Sequence, residues 1–374
     1  MRFSRTNRSG IVHHGNSGCN SFFGFVSLLA HGSGSPGFSR KVDFLDTRAL
    51  GEDTLSAAEP ARGEWTVMFA IRRMTPADKP AVMDFASRIW EGGDYLPAVF
   101  DEWVIDETGE FAAVLLGGRV VGCGKLTFLT PTDAWLEGLR KDPRVQEKGV
   151  AETVTSHFLS VLSSRQDLTS IRFSTYVRNL ASIAANEKAG FRRRIALSCK
   201  AWAGKKEELE AVRLAGAGRS GGAAPLGEER AVLDFVEASG CFAATGGLVV
   251  EGWRAYPYSR ELFAARYVRR GLCRGVAAAG ALRGVSVFVH DRRHGHTYIT
   301  PVFLDAADEE TADILFDDLF AYAKAHAAGY NEIEWIVPPI ERVRARCAAR
   351  GFRSWEQEDD YLVYELPLRG ERTS

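Results

Sequence analysis

The chain has 374 residues, a formal net charge of -1 at pH 7, 45% hydrophobic residues and 25% charged residues. That length exceeds one ordinary domain and suits two with a tail to spare, while the near-zero charge gives no electrostatic ground for a nucleic-acid or anionic-membrane partner. No apolar run approaches the roughly 20 residues of a membrane helix, and the six cysteines (19, 123, 199, 241, 273 and 347) form no Cys-x-x-Cys pair, which argues against a zinc site or disulfide framework and for a reduced, cytoplasmic compartment.

Residues 1–65 are rich in Ser, Gly, Asn and His and show no sustained periodicity. Arg2, Arg5 and Arg8 precede an apolar run at 22–30, but the leading region is long for a secretory signal and no Ala-x-Ala site follows. The segment reads as a disordered extension. The first folded unit, 66–204, opens with a strand at 69–74. Thr75-Pro76-Ala77-Asp78 then supplies an N-cap and an N1 proline, and Val82, Phe85, Ile89 and Trp90 give a helical stripe. A second helix is expected over 96–105. Strands at 111–116 and 120–128 are joined by Gly117-Gly118-Arg119, a hairpin signal. Trp135 to Leu139 is the next strand.

That strand runs into Asp142-Pro143-Arg144-Val145-Gln146-Glu147-Lys148-Gly149-Val150-Ala151, and a helix follows to about Ser164. A turn at a helix N-terminus exposes N–H groups without partners inside the helix, and the helix dipole favours a diphosphate there. After a strand at 171–176 come Asn179-Leu180-Ala181-Ser182 and Asn186-Glu187-Lys188-Ala189-Gly190-Phe191. Gly190 suits the left-handed position that closes a helix, and 192–202 reads as a strand. Residues 205–227, with Ala215-Gly216-Ala217-Gly218, are composed like a flexible linker.

The second unit, 228–368, repeats the first. Ala279-Gly280-Ala281-Leu282-Arg283-Gly284 matches the earlier hairpin, Ile333-Glu334-Trp335-Ile336 matches the strand at 171, and Arg350-Gly351-Phe352 matches the Gly190-Phe191 ending. Where the first unit has its loop, the second reads Leu304-Asp305-Ala306-Ala307-Asp308-Glu309-Glu310. It has no Gly, and its carboxylates would repel a diphosphate. The second unit is therefore expected to be degenerate, with 361–366 closing it as its last strand. His290, His294 and His296 beside Asp291 read as a polar hairpin turn rather than a metal site.

Gln146-x-x-Gly149-x-Ala151 resembles the acyl-CoA-binding loop of the GNAT superfamily of N-acyltransferases, and Asn179-x-x-Ser182 with Glu187-Lys188-Ala189-Gly190-Phe191 resembles that family's second signature. Asp94-Tyr95-Leu96-Pro97, Trp103 and Trp135-Leu136-Glu137-Gly138-Leu139-Arg140 are similar to the tandem branch that includes vertebrate histidine N-acetyltransferase. The resemblance implies an α/β chain of two tandem GNAT-like domains, each a mixed, mostly antiparallel sheet flanked by helices. It implies acetyl-CoA as co-substrate and a primary amine of a small molecule as acceptor, an amino acid being the leading class. A non-catalytic acyl-CoA-binding regulatory module and a protein N-acetyltransferase are the competing readings.

By the same resemblance, Leu139 and Lys141 contribute backbone to the pantetheine arm. Arg144, Gln146, Glu147, Lys148, Gly149, Val150 and Ala151 form the diphosphate loop, and Asn179 and Ser182 position cofactor. Glu147 departs from the pattern, standing where Gly is common. Glu137 shares a strand face with Trp135 and Leu139 and is the candidate proton acceptor, with Asp94 and Asp133 behind it. Many family members carry a Tyr at position 186 as the general acid. Asn186 donates no proton readily, so Tyr176 on the preceding strand, or a water, enters as the alternative.

Overall fold

The computed structural model describes residues 69–214, 222–293 and 296–368; the extension at 1–65 lies outside them. In the first unit the order is β1 (Ala70–Arg73), α1 (Lys79–Ala86), α2 (Leu96–Ile105), β2 (Glu110–Leu116), β3 (Arg119–Thr130), β4 (Asp133–Lys141), α3 (Val150–Ser163), β5 (Ser170–Tyr176), α4 (Leu180–Lys188) and β6 (Arg192–Lys205). There follow α5 (Lys206–Ala211), β7 (Ala224–Pro225), α6 (Glu229–Ala238), α7 (Gly240–Ala244), β8 (Leu248–Glu251), β9 (Arg254–Pro257), α8 (Arg260–Phe263), β10 (Cys273–Ala278), β11 (Ala281–Arg293), β12 (His296–Ala306), α9 (Glu309–Ala325), β13 (Tyr330–Val337), α10 (Glu341–Ala349), β14 (Arg353–Ser354) and β15 (Tyr361–Pro367).

Local sequence explains the elements that frame the site. The turn before α1 is fixed by Asp78, whose carboxylate accepts from the Thr75 backbone N–H and hydroxyl, each at 2.8 Å. Val150, Val154, Phe158 and Leu162 recur every four residues and are all buried against the sheet. Gly122 and Gly124 on β3 let α3 approach closely: a Cβ at either would lie 2.5–2.6 Å from a methyl of Val150 or Val154. The two hairpin turns match between units. Gly117 and Gly118 have φ of 58° and 79°, and Ala279 and Gly280 have 51° and 79°, the left-handed pair of a tight hairpin.

The strands form one thirteen-stranded sheet in the order β1-β2-β3-β4-β5-β15-β6-β13-β12-β11-β10-β7, with β14 pairing β6. Only β4–β5 and β12–β13 pair in parallel; the other neighbours are antiparallel. Hence each half is a mixed, mostly antiparallel sheet with helices packed on it, as the motifs imply.

The boundary between units differs from the expectation in two ways. β15 does not close the second unit. It inserts between β5 and β6, with Tyr361 opposite Tyr176 and Leu197. Reciprocally, β6 runs out of the first unit, and its residues 198–205 pair with β13 while β14 pairs alongside. Each unit thus receives a strand from the other. The expected linker is also ordered at its start: α5 follows β6 directly, and Leu209, wholly buried, joins the core of α9 and β13. Composition marks the Gly-rich stretch at 215–221, which lies outside the described residues, but hides the amphipathic turn before it.

Candidate active site

Strand β4 pairs with β3 along most of its length, but with β5 only from Asp133 to Trp135. Beyond Trp135 the two parallel strands part. The divergence is built into β4 by a bulge. Its register against β3 shifts between Cys123 and Lys125, and Gly138 has φ +65°. The Trp103 ring lies against Gly138, where a Cβ would come within 2.4 Å of it. A narrow slot opens between the strands, lined by Leu136, Glu137 and Leu139 of β4, Phe173 of β5, Val154, Thr155 and Phe158 of α3, and Asn186 of α4.

Past the slot the chain turns through 142–149 into α3. Gly149 occupies the N-cap at φ 112°, and no side chain caps the helix. The helix start at Val150 and Ala151 therefore presents backbone N–H groups toward the loop. Gln146 and Lys148 are exposed beside it, while Glu147 and Lys141 are partly buried, and burial lowers the Lys141 pKa. Arg144 is held within the protein. Asp142 accepts from its backbone N–H at 2.9 Å and from its guanidinium at 3.0 and 2.9 Å, and Asp84 holds the same guanidinium from α1. It braces the loop.

Glu137 lines the slot. Its carboxylate accepts from Thr127 Oγ1 at 2.6 Å and from Arg254 Nε and Nη2 at 3.0 and 2.8 Å. Asn186 is buried, donating to Ser182 O at 2.9 Å and accepting from Thr155 Oγ1 at 3.3 Å. Asn179 is the N-cap of α4, accepting from Ser182 N–H at 3.4 Å while its amide donates to Thr175 Oγ1 at 3.0 Å. Asn179 and Ser182 therefore fix α4, and through Ser182 the amide of Asn186. Tyr176 lines neither the slot nor the cavity described below. Its ring packs on Trp355 at 4.9 Å, and burial raises its pKa. The structure does not bring it to Glu137.

The two secondary carboxylate candidates are each held in an ion pair. Asp94 is buried in an ion pair with the equally buried Arg140, at 2.6 Å. Burial opposes the charge of Asp133, yet hydroxyls of Ser170 and Thr130 and the Arg172 guanidinium hold its pKa low.

On the other side of β4 a cavity of ≈ 470 Å³ lies between the units. Tyr95, Trp103, Trp135 and Glu137 line it from the first unit. Trp253 and Arg254 of the β8–β9 hairpin, Tyr298 of β12, and Glu332 and Glu334 of β13 line it from the second. Glu137 belongs to both the slot and the cavity. Among the described residues, the corresponding helix of the second unit starts differently. The N-terminus of α9 is capped by Asp308, which accepts from Thr311 N–H at 2.8 Å, and Asp305 is held by Ser239 and Arg342.

Several site residues escape a reading of the sequence. Arg254 is 117 positions from its partner Glu137, and nothing local marks it. Trp103 falls in a short motif, but nothing in the sequence signals its place under the Gly138 bulge. The Glu332-Ile333-Glu334 alternation inside an otherwise apolar strand is the signal available for the cavity's far wall.

Residues 79–191 match the profile of the acetyltransferase (GNAT) family. No curated protein matches the sequence. Among solved structures, a GCN5-related N-acetyltransferase from Sphaerobacter thermophilus superposes with a TM-score of 0.55 at 15% identity, over 80% of this chain and 96% of that one. A tandem GNAT protein from the clavulanic acid biosynthesis pathway superposes with a TM-score of 0.50 at 16% identity, over 80% of this chain and 98% of that one. At these identities the likeness is one of fold, and it extends over both units.

Proposed function

We propose that this chain, whose residues 79–191 match the acetyltransferase (GNAT) family profile, moves an acetyl group from acetyl-CoA to the primary amine of a small molecule. An amino acid or related metabolite is the leading class, in keeping with the resemblance to the histidine N-acetyltransferase branch. One observation carries the reading: Glu137 lines both the slot between β4 and β5 and the ≈ 470 Å³ cavity between the units. A carboxylate thus stands where a donor in one space would meet an acceptor in the other. The cavity's volume falls in the range of small-ligand sites, and walls from both units favour a small acceptor over a protein chain.

The residues present fit acetyl-CoA. The uncapped start of α3 at Gly149, Val150 and Ala151 suits a diphosphate, and the apolar slot of Leu136, Leu139, Phe158 and Phe173 suits a pantetheine arm. When bound, acetyl-CoA supplies the activated acetyl group. Backbone freed where β4 leaves β5 is placed to polarise a carbonyl. Glu137, oriented by Thr127 and Arg254, accepts the proton of the attacking amine, directly or through water. Asn186, held by Ser182 and Thr155, lines the slot beside the leaving sulfur without protonating it; a thiol pKa of about 8–9 makes a thiolate a tolerable leaving group.

The test is release of free CoA thiol from acetyl-CoA with a panel of amino acids and amines, alongside melting with acetyl-CoA alone. A thermal shift with amine-dependent thiol release supports the reading. A shift without turnover of any amine selects the regulatory module instead, which is favoured by the slot's lack of any titratable side chain besides Glu137.

A further inference from the structure

The wall of the inter-unit cavity holds a pair of opposite charges side by side. Glu137 of β4 and Arg254 of β9 both line it, and Arg254 donates to Glu137 from Nε at 3.0 Å and from Nη2 at 2.8 Å. Arg254 comes from the second unit. It follows the turn of the β8–β9 hairpin, where it pairs with Glu251 across the ladder and Gly252 has φ +58°. That hairpin stands apart from the large sheet, and its tip is fastened to the strands of the first unit. Ser174 Oγ on β5 donates to Trp253 O at 2.7 Å, and the Trp253 ring packs on Tyr361 of β15 at 4.9 Å. The tip is therefore anchored independently of the ion pair.

A guanidinium is a planar fork, and more than one of its edges can take a carboxylate. Glu137 fills the edge of Nε and Nη2. Nη1 takes no part in that pair, and the Arg254 side chain is still 38% exposed, against 13% for Glu137. Tyr256, two residues along β9 and also in the wall, interacts with the same guanidinium, and its hydroxyl can donate to a carboxylate as well. Arg254 and Arg270 are the guanidiniums of a wall in which carboxylates are more numerous, so an anionic group entering the cavity has few places to dock. An amine that gives its proton to Glu137 must bring its nitrogen within hydrogen-bond reach of that carboxylate. In an α-amino acid the amine and the carboxylate hang on one carbon, so a nitrogen at Glu137 carries the carboxylate to the neighbouring Arg254. We propose that the acceptor is an α-amino acid whose carboxylate binds the Nη1–Nη2 edge of Arg254, which makes Arg254 the residue that selects an amino acid over a simple amine. This rests on the acetyltransfer reading above and adds the group by which the acceptor is recognised. The second unit, whose α9 start is closed by Asp308, thereby serves the acceptor.

The test measures thiol release from acetyl-CoA with the standard L-amino acids, each beside the amine that has hydrogen in place of the α-carboxylate, such as leucine with 3-methylbutylamine and phenylalanine with 2-phenylethylamine. The best amino acid is expected to exceed its amine at least about thirtyfold in kcat/KM, carried mainly by KM. Arg254→Gln should slow both, because Glu137 loses its orientation, yet bring them within about threefold of each other by raising KM for the amino acid alone. A purely orienting Arg254 would lower kcat for both and leave their ratio untouched. An amine that matches its amino acid in the unaltered protein overturns the proposal. So does a ratio that survives in folded Arg254→Gln, which would move the carboxylate to Arg270. If Arg254→Gln does not fold, Arg254→Lys takes its place: loss of the fork should lower the ratio at least about threefold, and an undiminished ratio overturns the assignment. Failure of the underlying reading looks different: neither amino acids nor amines release thiol.

Discussion

Glu137 holds three hydrogen bonds from protein groups, two of them from one guanidinium. Such a carboxylate is fixed in orientation, which suits proton acceptance from an amine approaching through the cavity. Glu137→Gln is expected to lower turnover by on the order of 10²–10⁴ with acetyl-CoA binding intact, measured as kcat beside the acetyl-CoA thermal shift. Arg254→Gln removes orientation but leaves the carboxylate, so its loss in kcat should be smaller, about tenfold. Asp94 gives a contrasting case at the same scale. It is enclosed with Arg140, whose guanidinium also lies over the rings of Trp90 and Tyr95 at 4.7 and 5.0 Å. Asp94→Asn leaves a buried cation without its counter-charge and should destabilise the fold by about 3–5 kcal/mol, read as a lowered urea midpoint. The sequence makes both carboxylates visible, one as a strand residue and one in a short motif. It cannot separate them, because the partners that decide their roles, Arg254 and Arg140, are distant in the chain.

At the level of elements, the start of α3 is legible in the sequence and the shape of β4 is not. Gly149 before an apolar four-residue stripe announces an open helix N-terminus, and the structure has that uncapped terminus. Gly149→Glu, which places a carboxylate and a β-carbon at φ 112°, should abolish the acetyl-CoA thermal shift while the protein remains folded; a retained shift would show that the diphosphate lies elsewhere. The corresponding start of α9 carries its own anion, Asp308, so titration calorimetry should return one acetyl-CoA site per chain. The bulge in β4 sits against a tertiary neighbour, Trp103. A Cβ at Gly138 would meet the Trp103 ring at 2.4 Å and sit at φ +65°, so Gly138→Ala should displace β4, alter the slot and weaken acetyl-CoA binding. Arg144 shows a related limit: its partners Asp142 and Asp84 are fixed by the fold, and Asp84 lies 60 positions away in the chain.

On the scale of the whole molecule, hydrophobic periodicity reports strands and helices but not which sheet each strand enters. The last strand alternates in the same way whether it closes its own unit or the other one, and only the pairing of β15 between β5 and β6 distinguishes the two. Removing residues 361–374 should therefore disable the half that is furthest away in sequence, abolishing acetyl-CoA binding together with the cooperative melt. The order of synthesis follows from the same pairing. The ion pair between Arg172 and Glu365 joins positions 193 apart, so at a ribosomal rate of about 5–20 residues per second the amino-terminal half waits ~10–40 s for the strand that completes it. Throughout that interval the edges of β5 and β6 stand open on a nascent chain, where they invite pairing with other chains. The amino-terminal half cannot complete its sheet as it emerges, and it closes only after β15 has left the ribosome.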